Sequence, residues 1–384
     1  MSILSPDLAV RQPLTLRAIF PLILGYYAQA VLAILPNTFI IKLLLLPFIA
    51  WQAWRCAVRF DFAALLAQSL GDQSADRLAF FNFFFMTAMF CIALRSFEWA
   101  LIKRPLRRYE IPKRRQDAPI ERCLSASNVL LDAFELLHNQ RGIGWSWSPN
   151  PFPREIPPPP SIAWFAIKTV VKLTVFDASH YIIECACPSV SSPGGGSIFD
   201  PRLGLVPRTA LAALSGICGG VWSYALVDSL YHPSLLWPRV FHRPWISGVV
   251  RWHQLMRHFF IVFGARPGGM LYGKPGAFLG AFTVSAILHH TGVWGTGRGT
   301  DLTTPWFFLM MGGGAAMEDV FKRLTGSRVQ GWGGWLWTMT WTTLWGTFMI
   351  DGWARRGAFA AALLPNRFRL GKIVVDMIIA LSGR

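Results

Sequence analysis

The chain has 384 residues, of which 53% are hydrophobic and 15% are charged. This composition is too apolar for an ordinary soluble domain and predicts an all-α protein that crosses a membrane several times. The net charge is +17, but the basic residues flank hydrophobic segments, so positive-inside bias and anionic lipid explain them better than nucleic acid does. An acidic cosubstrate would also suit this charge.

The cysteines and the start of the chain give two further expectations. The six cysteines are scattered, and Cys185 and Cys187 stand one residue apart, a spacing that matches no zinc pattern. We therefore expect reduced thiols without a disulfide framework. The first twelve residues mix Pro, Asp and Arg, so we expect no cleavable signal peptide.

Three apolar segments come first along the chain. A membrane span needs about 20 mostly apolar residues at about 1.5 Å of rise each. The segments near 16–35, 38–54 and 78–102 meet this requirement. Glu98 lies near the end of the third segment, and we predict that it sits at the membrane interface rather than in a cavity.

A basic region follows the third segment. Residues 103–122 are dense in Lys and Arg, which predicts a cytoplasmic loop that continues to about residue 160. Residues 128–138 have apolar side chains at helical spacing, so we predict an amphipathic helix lying on the membrane or on the protein. The helix leads into Arg141-Gly142-Ile143-Gly144-Trp145-Ser146-Trp147, whose glycines permit a tight turn and whose two tryptophans are predicted to anchor at the headgroups.

The second half contains the remaining predicted spans, near 208–231, 276–290, 305–320 and 332–350. Residues 161–176 are apolar but carry two lysines, and they either span at a tilt or lie in the interface. Gly216, Gly219 and Gly220 are predicted to allow close helix contact. We predict eight or nine transmembrane helices in a single domain of residues 1–384.

Two adjacent histidines end the apolar run that begins near Gly276. In a helix Ser285 and His289 lie four residues apart on one face, while His290 points about 100° away. Ionisable groups at membrane depth usually face a cavity or a partner. Because an imidazole takes and returns a proton near pH 7, His289 is a candidate general base. In the alternative interpretation, which we keep for His290, one histidine caps the helix and the other faces an aqueous exit.

A second polar group lies between residues 241 and 258. Pro244 suits the start of an amphipathic helix. The apolar stripe of this helix would consist of Trp252, Leu255, Met256 and Phe259. Its polar groups would be Arg251, His253, Gln254 and Arg257. Binding to lipid phosphates explains the two arginines, but lipid headgroups need no imidazole.

The histidine spacing argues against several membrane enzymes. Di-iron desaturases need several histidine boxes, and this chain offers too few ligands for two metals. No paired aspartates that could hold magnesium pyrophosphate lie in or beside a span. The sequence also lacks a Gly-rich phosphate loop and a Gly-x-Ser-x-Gly elbow. We therefore predict no metal site.

Trp252-His253-Gln254 with Arg257, followed about thirty positions later by Ser285-x-x-x-His289, resembles the wax synthase branch of the membrane-bound O-acyltransferases. Residues 141–145, 233–245 and 310–318 resemble further stretches of that branch in the same order. The resemblance covers roughly residues 125–355. It is nearest to the fungal acetyltransferases that decorate terpenoid and meroterpenoid products.

The resemblance implies helices around an internal tunnel in the endoplasmic reticulum membrane. It implies transfer of an acyl group, most often acetyl, from coenzyme A to a hydrophobic alcohol, with no bound cofactor. His289 would be the base, and His253 would orient or polarise the reacting groups. The predicted substrate contacts are Trp252, Gln254, Arg251, Arg257 and Ser285. Two alternatives stay open: a long-chain wax ester or sterol acyltransferase, and a non-catalytic transporter or scaffold.

Overall fold

The computed structural model describes residues 6–71, 74–110, 120–139, 142, 144–147, 162–234, 253–364 and 368–383, with the backbone alone for 162, 165, 228–234 and 253–255. Within these ranges the chain is largely helical, and its strands are two residues long. β1 (Gln12–Pro13) pairs in parallel with β2 (Phe60–Asp61), and β3 (Tyr109–Glu110) pairs antiparallel with β4 (Ile120–Glu121). An all-α fold is therefore confirmed for the described part of the chain.

The helices follow the predicted apolar segments closely. In chain order they are α1 (Leu16–Ile34), α2 (Phe39–Arg59), α3 (Phe62–Leu70), α4 (Asn82–Leu101), α5 (Ala126–His138), α6 (Ile162–Ala186), α7 (Leu205–Ser234), α8 (His253–Phe259), α9 (Arg266–Gly295), α10 (Thr303–Thr325), α11 (Gly331–Ala354) and α12 (Leu370–Leu381). A π-helix, Phe260–Ala265, joins α8 to α9. The predicted amphipathic helix is α5, which packs against α1.

Five helical stretches are long and apolar enough to cross a membrane: 16–34, 39–59, 79–101, 205–227 and 256–295. They identify an integral membrane protein. Three further helices, α6, α10 and α11, have 25, 23 and 24 residues. At about 1.5 Å per residue each is longer than the roughly 30 Å hydrocarbon layer. The predicted count of eight or nine spans stays a prediction, because hydropathy identifies five.

The 40-residue stretch 256–295 contains two helices rather than one long span. Tyr272 and Gly273 leave the helical region inside α9, and Gly273 has a φ of 61°. The chain therefore doubles back, and the residues before and after the break pack against each other. We call residues 253–271 the first arm and residues 274–295 the second arm of this helical hairpin.

Four glycines bring the two arms into backbone contact. A Cβ atom on Gly268 would lie 2.1 Å from the carbonyl oxygen of Gly276, and a Cβ on Gly276 would lie 2.2 Å from that of Gly268. Gly264 and Gly280 show the same reciprocal contact, at 2.3 Å in each direction. No side chain fits at these positions, so glycine is required for this close approach.

The glycines predicted in α7 have two different surroundings. A Cβ on Gly216 would lie 2.5 Å from the Thr347 hydroxyl of α11, and one on Gly219 would lie 2.7 Å from Ile350. A Cβ on Gly220 would meet no atom within 4 Å. The prediction of close helix packing is confirmed for Gly216 and Gly219 and is wrong for Gly220, which lies beside the contact rather than in it.

Arginines hold four loops together at the end of the bundle where α4 begins. Arg77 donates to the carbonyl oxygens of Ser191 (3.0 Å) and Ala360 (2.7 Å). Arg298 donates to the carbonyl oxygen of Pro193 at 2.6 Å. Arg356 pairs with Asp301 at 2.7 Å. We call this the loop end. The other end, where α4 stops and residues 101–110 begin, we call the basic end.

Two adjacent glycines of the first arm give a matched test of the hairpin. Gly268→Ala should destabilise the protein by about 1–3 kcal/mol, because its methyl group overlaps the backbone of the second arm. Gly269→Ala should be neutral or slightly stabilising, since its Cβ would lie 3.5 Å from Ala277, an ordinary contact. The measurement is the unfolding temperature of each variant in detergent. Equal temperatures for the two variants would contradict the hairpin.

Candidate functional site

His289 lies inside the bundle on the second arm, with 7% of its surface exposed. Its ring stacks on Phe308 of α10, with ring centroids 4.1 Å apart and planes 28° apart. Phe83 of α4 is the next ring, at 6.1 Å. Three helices therefore enclose the imidazole. It lies six residues before the end of α9 at Gly295, or about 9 Å along the helix.

A hydrogen bond defines the tautomer of His289. Its Nδ1 lies 2.8 Å from the backbone carbonyl oxygen of Ser285. A carbonyl oxygen accepts hydrogen bonds and cannot donate them, so Nδ1 carries the proton. In the neutral ring the lone pair then resides on Nε2, which is the nitrogen that can accept a proton. The stacking on Phe308 fixes the plane in which that lone pair points.

The spacing of Ser285 and His289 is helical, as predicted, but the two residues meet through the backbone. Ser285 is buried and gives its carbonyl oxygen to the imidazole. Because the acceptor is a backbone atom, any residue at position 285 would offer His289 the same hydrogen bond. The substrate contact predicted for its hydroxyl stays a prediction.

His290 differs from His289 in its surroundings. Its buried Nδ1 has no hydrogen-bond partner among the residues that the structure describes. The helix continues for five residues beyond it, to Gly295. The interpretation of either histidine as a helix cap is therefore wrong, because the apolar run is followed by another turn and a half of helix.

The hairpin register and the packing of α8 together indicate the depth of His253. Gly268 faces Gly276 and Gly264 faces Gly280, so each step back along the first arm corresponds to one step forward along the second. Continuing this antiparallel register brings Met256 level with Leu288. The two do pack in one cluster, together with Phe259. Continued through α8, the same register would bring the backbone of His253 near the level of residue 291, about 3 Å along the axis from His289.

The other predicted substrate contacts divide into two groups. Arg251 and Trp252 lie outside the described residues. Gln254 is described as backbone of α8, and Arg257 is exposed on the same helix. The register thus favours a common depth for the backbone of His253 and for His289, and Arg257 is exposed at the surface.

A cluster of four side chains near the basic end escaped the sequence analysis. His258 Nε2 lies 2.5 Å from Glu98 Oε1, and Arg95 Nη1 lies 2.9 Å from Glu98 Oε2. The Arg95 guanidinium stands 3.9 Å from the ring centre of Trp147, whose ring lies 4.7 Å from that of His258. We call these four residues the clasp. The sequence signal for this cluster was the pair Arg95 and Glu98, two opposite charges three residues apart in an apolar segment.

The structure near the basic end corrects two predictions. The Glu98 side chain is 13% exposed and is paired twice, so it is an interior residue rather than an interfacial one. Trp145 is fully buried beside Tyr26 and Trp99, so it is a core residue rather than a headgroup anchor. The tight turn before it is confirmed, because Gly142 and Gly144 have φ of 69° and 73°.

The fold and the site together define a helical integral membrane protein with a buried histidine of fixed tautomer. Among the described residues no group of three or more His, Cys, Asp or Glu side chains could hold a metal ion. Compared with known proteins, the chain matches no family model, no curated protein and no solved structure.

The tautomer of His289 can be tested directly. In protein labelled with ¹⁵N-histidine, Nδ1 of His289 should carry the proton and Nε2 should not, because the Ser285 carbonyl oxygen can accept but not donate. Solid-state NMR distinguishes the two nitrogens, and the His289→Asn variant identifies the signal. Ser285→Ala should leave the spectrum unchanged, since the acceptor is a backbone atom. A proton on Nε2 of the neutral ring would contradict the assignment.

Proposed function

We propose that the protein is an acyl-CoA-dependent O-acyltransferase that modifies a hydroxyl group on a hydrophobic, terpenoid-type acceptor, most often with acetyl. The observation that carries the proposal is the hairpin register. It supports a common depth for the backbone of His253 and for His289, whose buried ring carries its proton on Nδ1. Together with the resemblance of the Trp-His-Gln and Ser-x-x-x-His motifs, this favours acyl transfer over a structural role.

His289 would act as the general base. As the acceptor hydroxyl attacks the thioester carbonyl, a carbon–oxygen bond forms and the hydroxyl proton moves to Nε2 of His289. The tetrahedral intermediate then collapses and the carbon–sulfur bond breaks. The leaving thiolate takes the proton back from His289, so the products are the ester and free coenzyme A, and the imidazole is neutral again.

His253 would act on the acyl group from the other arm. A histidine at that depth is suited to orient the thioester or to donate a hydrogen bond to the oxyanion that develops on its carbonyl oxygen. The apolar rings around His289 would exclude water, which limits loss of the acyl group to hydrolysis. Trp252, Gln254 and Ser285 remain the proposed contacts to the substrates.

Coenzyme A would approach from the basic end, in the cytoplasm, while the acceptor dissolves in the bilayer of the endoplasmic reticulum. Arg251 and Arg257 are suited to bind its phosphates. The basic end is proposed as the side of the cosubstrate because Lys and Arg are dense in residues 103–122.

Replacing the proposed base is the first functional test. With acetyl-CoA and a hydrophobic alcohol, His289→Ala should lower kcat by about 10²–10⁴-fold, because the general base is lost. His290→Ala should be much milder, since His290 points away from the proposed reacting groups. The assay is product formation by purified protein of each variant. Wild-type turnover in His289→Ala would remove the proposal, and a preference for long-chain acyl-CoA would favour the wax ester alternative.

Glycosylation tests the proposed orientation. An Asn-x-Thr acceptor inserted near Gln116 should stay unmodified in endoplasmic reticulum membranes, because Lys and Arg accumulate in cytoplasmic loops. The same acceptor at Gly194, an exposed residue at the loop end, should be glycosylated in the lumen. A shift in electrophoretic mobility reports the modification. The reverse pattern would place the basic end in the lumen.

A further inference from the structure

The glycine contacts of the hairpin do not reach the part of the first arm that carries His253. The last of them is at Gly264, and the π-helix Phe260–Ala265 separates this region from α8. π-helices are rare and occur mostly as single turns inside α-helices, frequently at functional sites. The hairpin therefore fixes the outer part of the first arm, and α8 needs an anchor of its own.

Apolar packing alone is a poor anchor along the helix axis. Phe259 is buried against Cys91 and Leu288, and Met256 packs on the same cluster. Contacts of this kind hold two surfaces together, but they have no direction and permit sliding. Hydrogen bonds weaken steeply when their length or angle changes, so they define an axial position.

The clasp supplies directional contacts to α8. The His258 and Glu98 side chains are 15% and 13% exposed, and the Arg95 side chain is 4% exposed. Glu98 accepts from both partners, so the carboxylate joins the first arm to α4 through a charge-assisted hydrogen bond. Trp147 lies between the Arg95 guanidinium and the His258 ring, which adds a third segment to the same contact.

The third segment is itself attached to the start of the basic region. Ser146 N donates to the carbonyl oxygen of Arg107 at 2.9 Å, and Arg107 N donates back to the Ser146 hydroxyl at 3.0 Å. Tyr109 N donates to the carbonyl oxygen of Gly144 at 2.8 Å. These backbone hydrogen bonds attach the turn that carries Trp147 to residues 107–109. The indole ring that contacts His258 is therefore held in place.

We infer that Glu98 and His258 are positioning residues, which hold α8 at the depth where the backbone of His253 is level with His289. His258 is five residues, or about 7.5 Å of helix, from His253. A displacement of α8 along its axis would move His253 by the same amount. This inference rests on the proposed function, since it gives the clasp a role in arranging the two proposed catalytic histidines.

The first test compares two replacements of His258 in the purified full chain. His258→Ala removes the hydrogen bond to Glu98 and should lower kcat by about 10- to 100-fold, because a 1 Å misplacement of a reacting group can cost that much. The KM for acetyl-CoA should rise as well, because Arg257, a proposed contact of the coenzyme A phosphates, lies on the same helix and would be displaced with His253. His258→Gln keeps an N–H donor at a similar reach and should restore most of the kcat.

The matched control is His138→Gln, which removes an exposed histidine of α5 whose Nδ1 faces its own helix. This control should keep the wild-type kcat. If His258→Ala does not purify, Glu98→Asp provides the same comparison, because it withdraws the carboxylate by one methylene. Wild-type kcat in His258→Ala or Glu98→Asp, or a His258→Gln variant as slow as His258→Ala, would overturn the inference.

A second measurement does not depend on the reaction. Amide hydrogen exchange should rise in α8 and in residues 145–147 together in His258→Ala, and it should stay at the wild-type level in His138→Gln. Unchanged exchange in α8 would overturn the anchoring role even if the enzyme is active. If exchange rises in His258→Ala but the wild-type protein transfers no acyl group, the anchoring role of the clasp is supported and the proposed function is wrong.

Discussion

The structure depends on the backbone contact between the two arms of the hairpin. Without hydrophobic driving force between helices in lipid, close packing of small residues holds them together. Gly264, Gly268, Gly276 and Gly280 allow this packing, and they also set an antiparallel register. The register decides which residues of the two arms share a depth. The candidate site is therefore a consequence of where glycines occur, as much as of where histidines occur.

Three polar groups inside the bundle are held by hydrogen bonds, which offset the cost of burial. His289 donates to the Ser285 carbonyl, and Glu98 accepts from both Arg95 and His258. A third group joins α6 to α12, where Arg369 pairs with Asp177 at 2.8 Å and with Glu184 at 2.9 Å. This last group is saturated by its own partners and fixes the C-terminal helix. In His289 the hydrogen bond to the Ser285 carbonyl oxygen holds the proton on Nδ1.

Both ends of the bundle pair their charges within the protein. At the loop end, arginines tie loops to one another. There burial works to raise the pKa of Asp301, but hydrogen bonds from Thr303 and Arg356 lower it below its ordinary value. At the basic end, the α4 terminus, the first arm and the turn at residues 144–147 meet in the clasp.

Most of the helices were predictable from the sequence, because a run of about 20 apolar residues has few alternatives to a helix in a membrane. The helical spacing of Ser285 and His289 followed from the same periodicity. Hydropathy could not show that 256–295 doubles back, since both arms are apolar and the break at Gly273 is a backbone conformation. It also could not decide that Glu98 is interior, because its partner His258 is 160 residues away. The depth of His253, the ring that stacks on His289 and the anchor of α8 all depend on contacts between distant segments. Only the tertiary structure decides such contacts, because local sequence patterns describe a helix and its faces but not its neighbours.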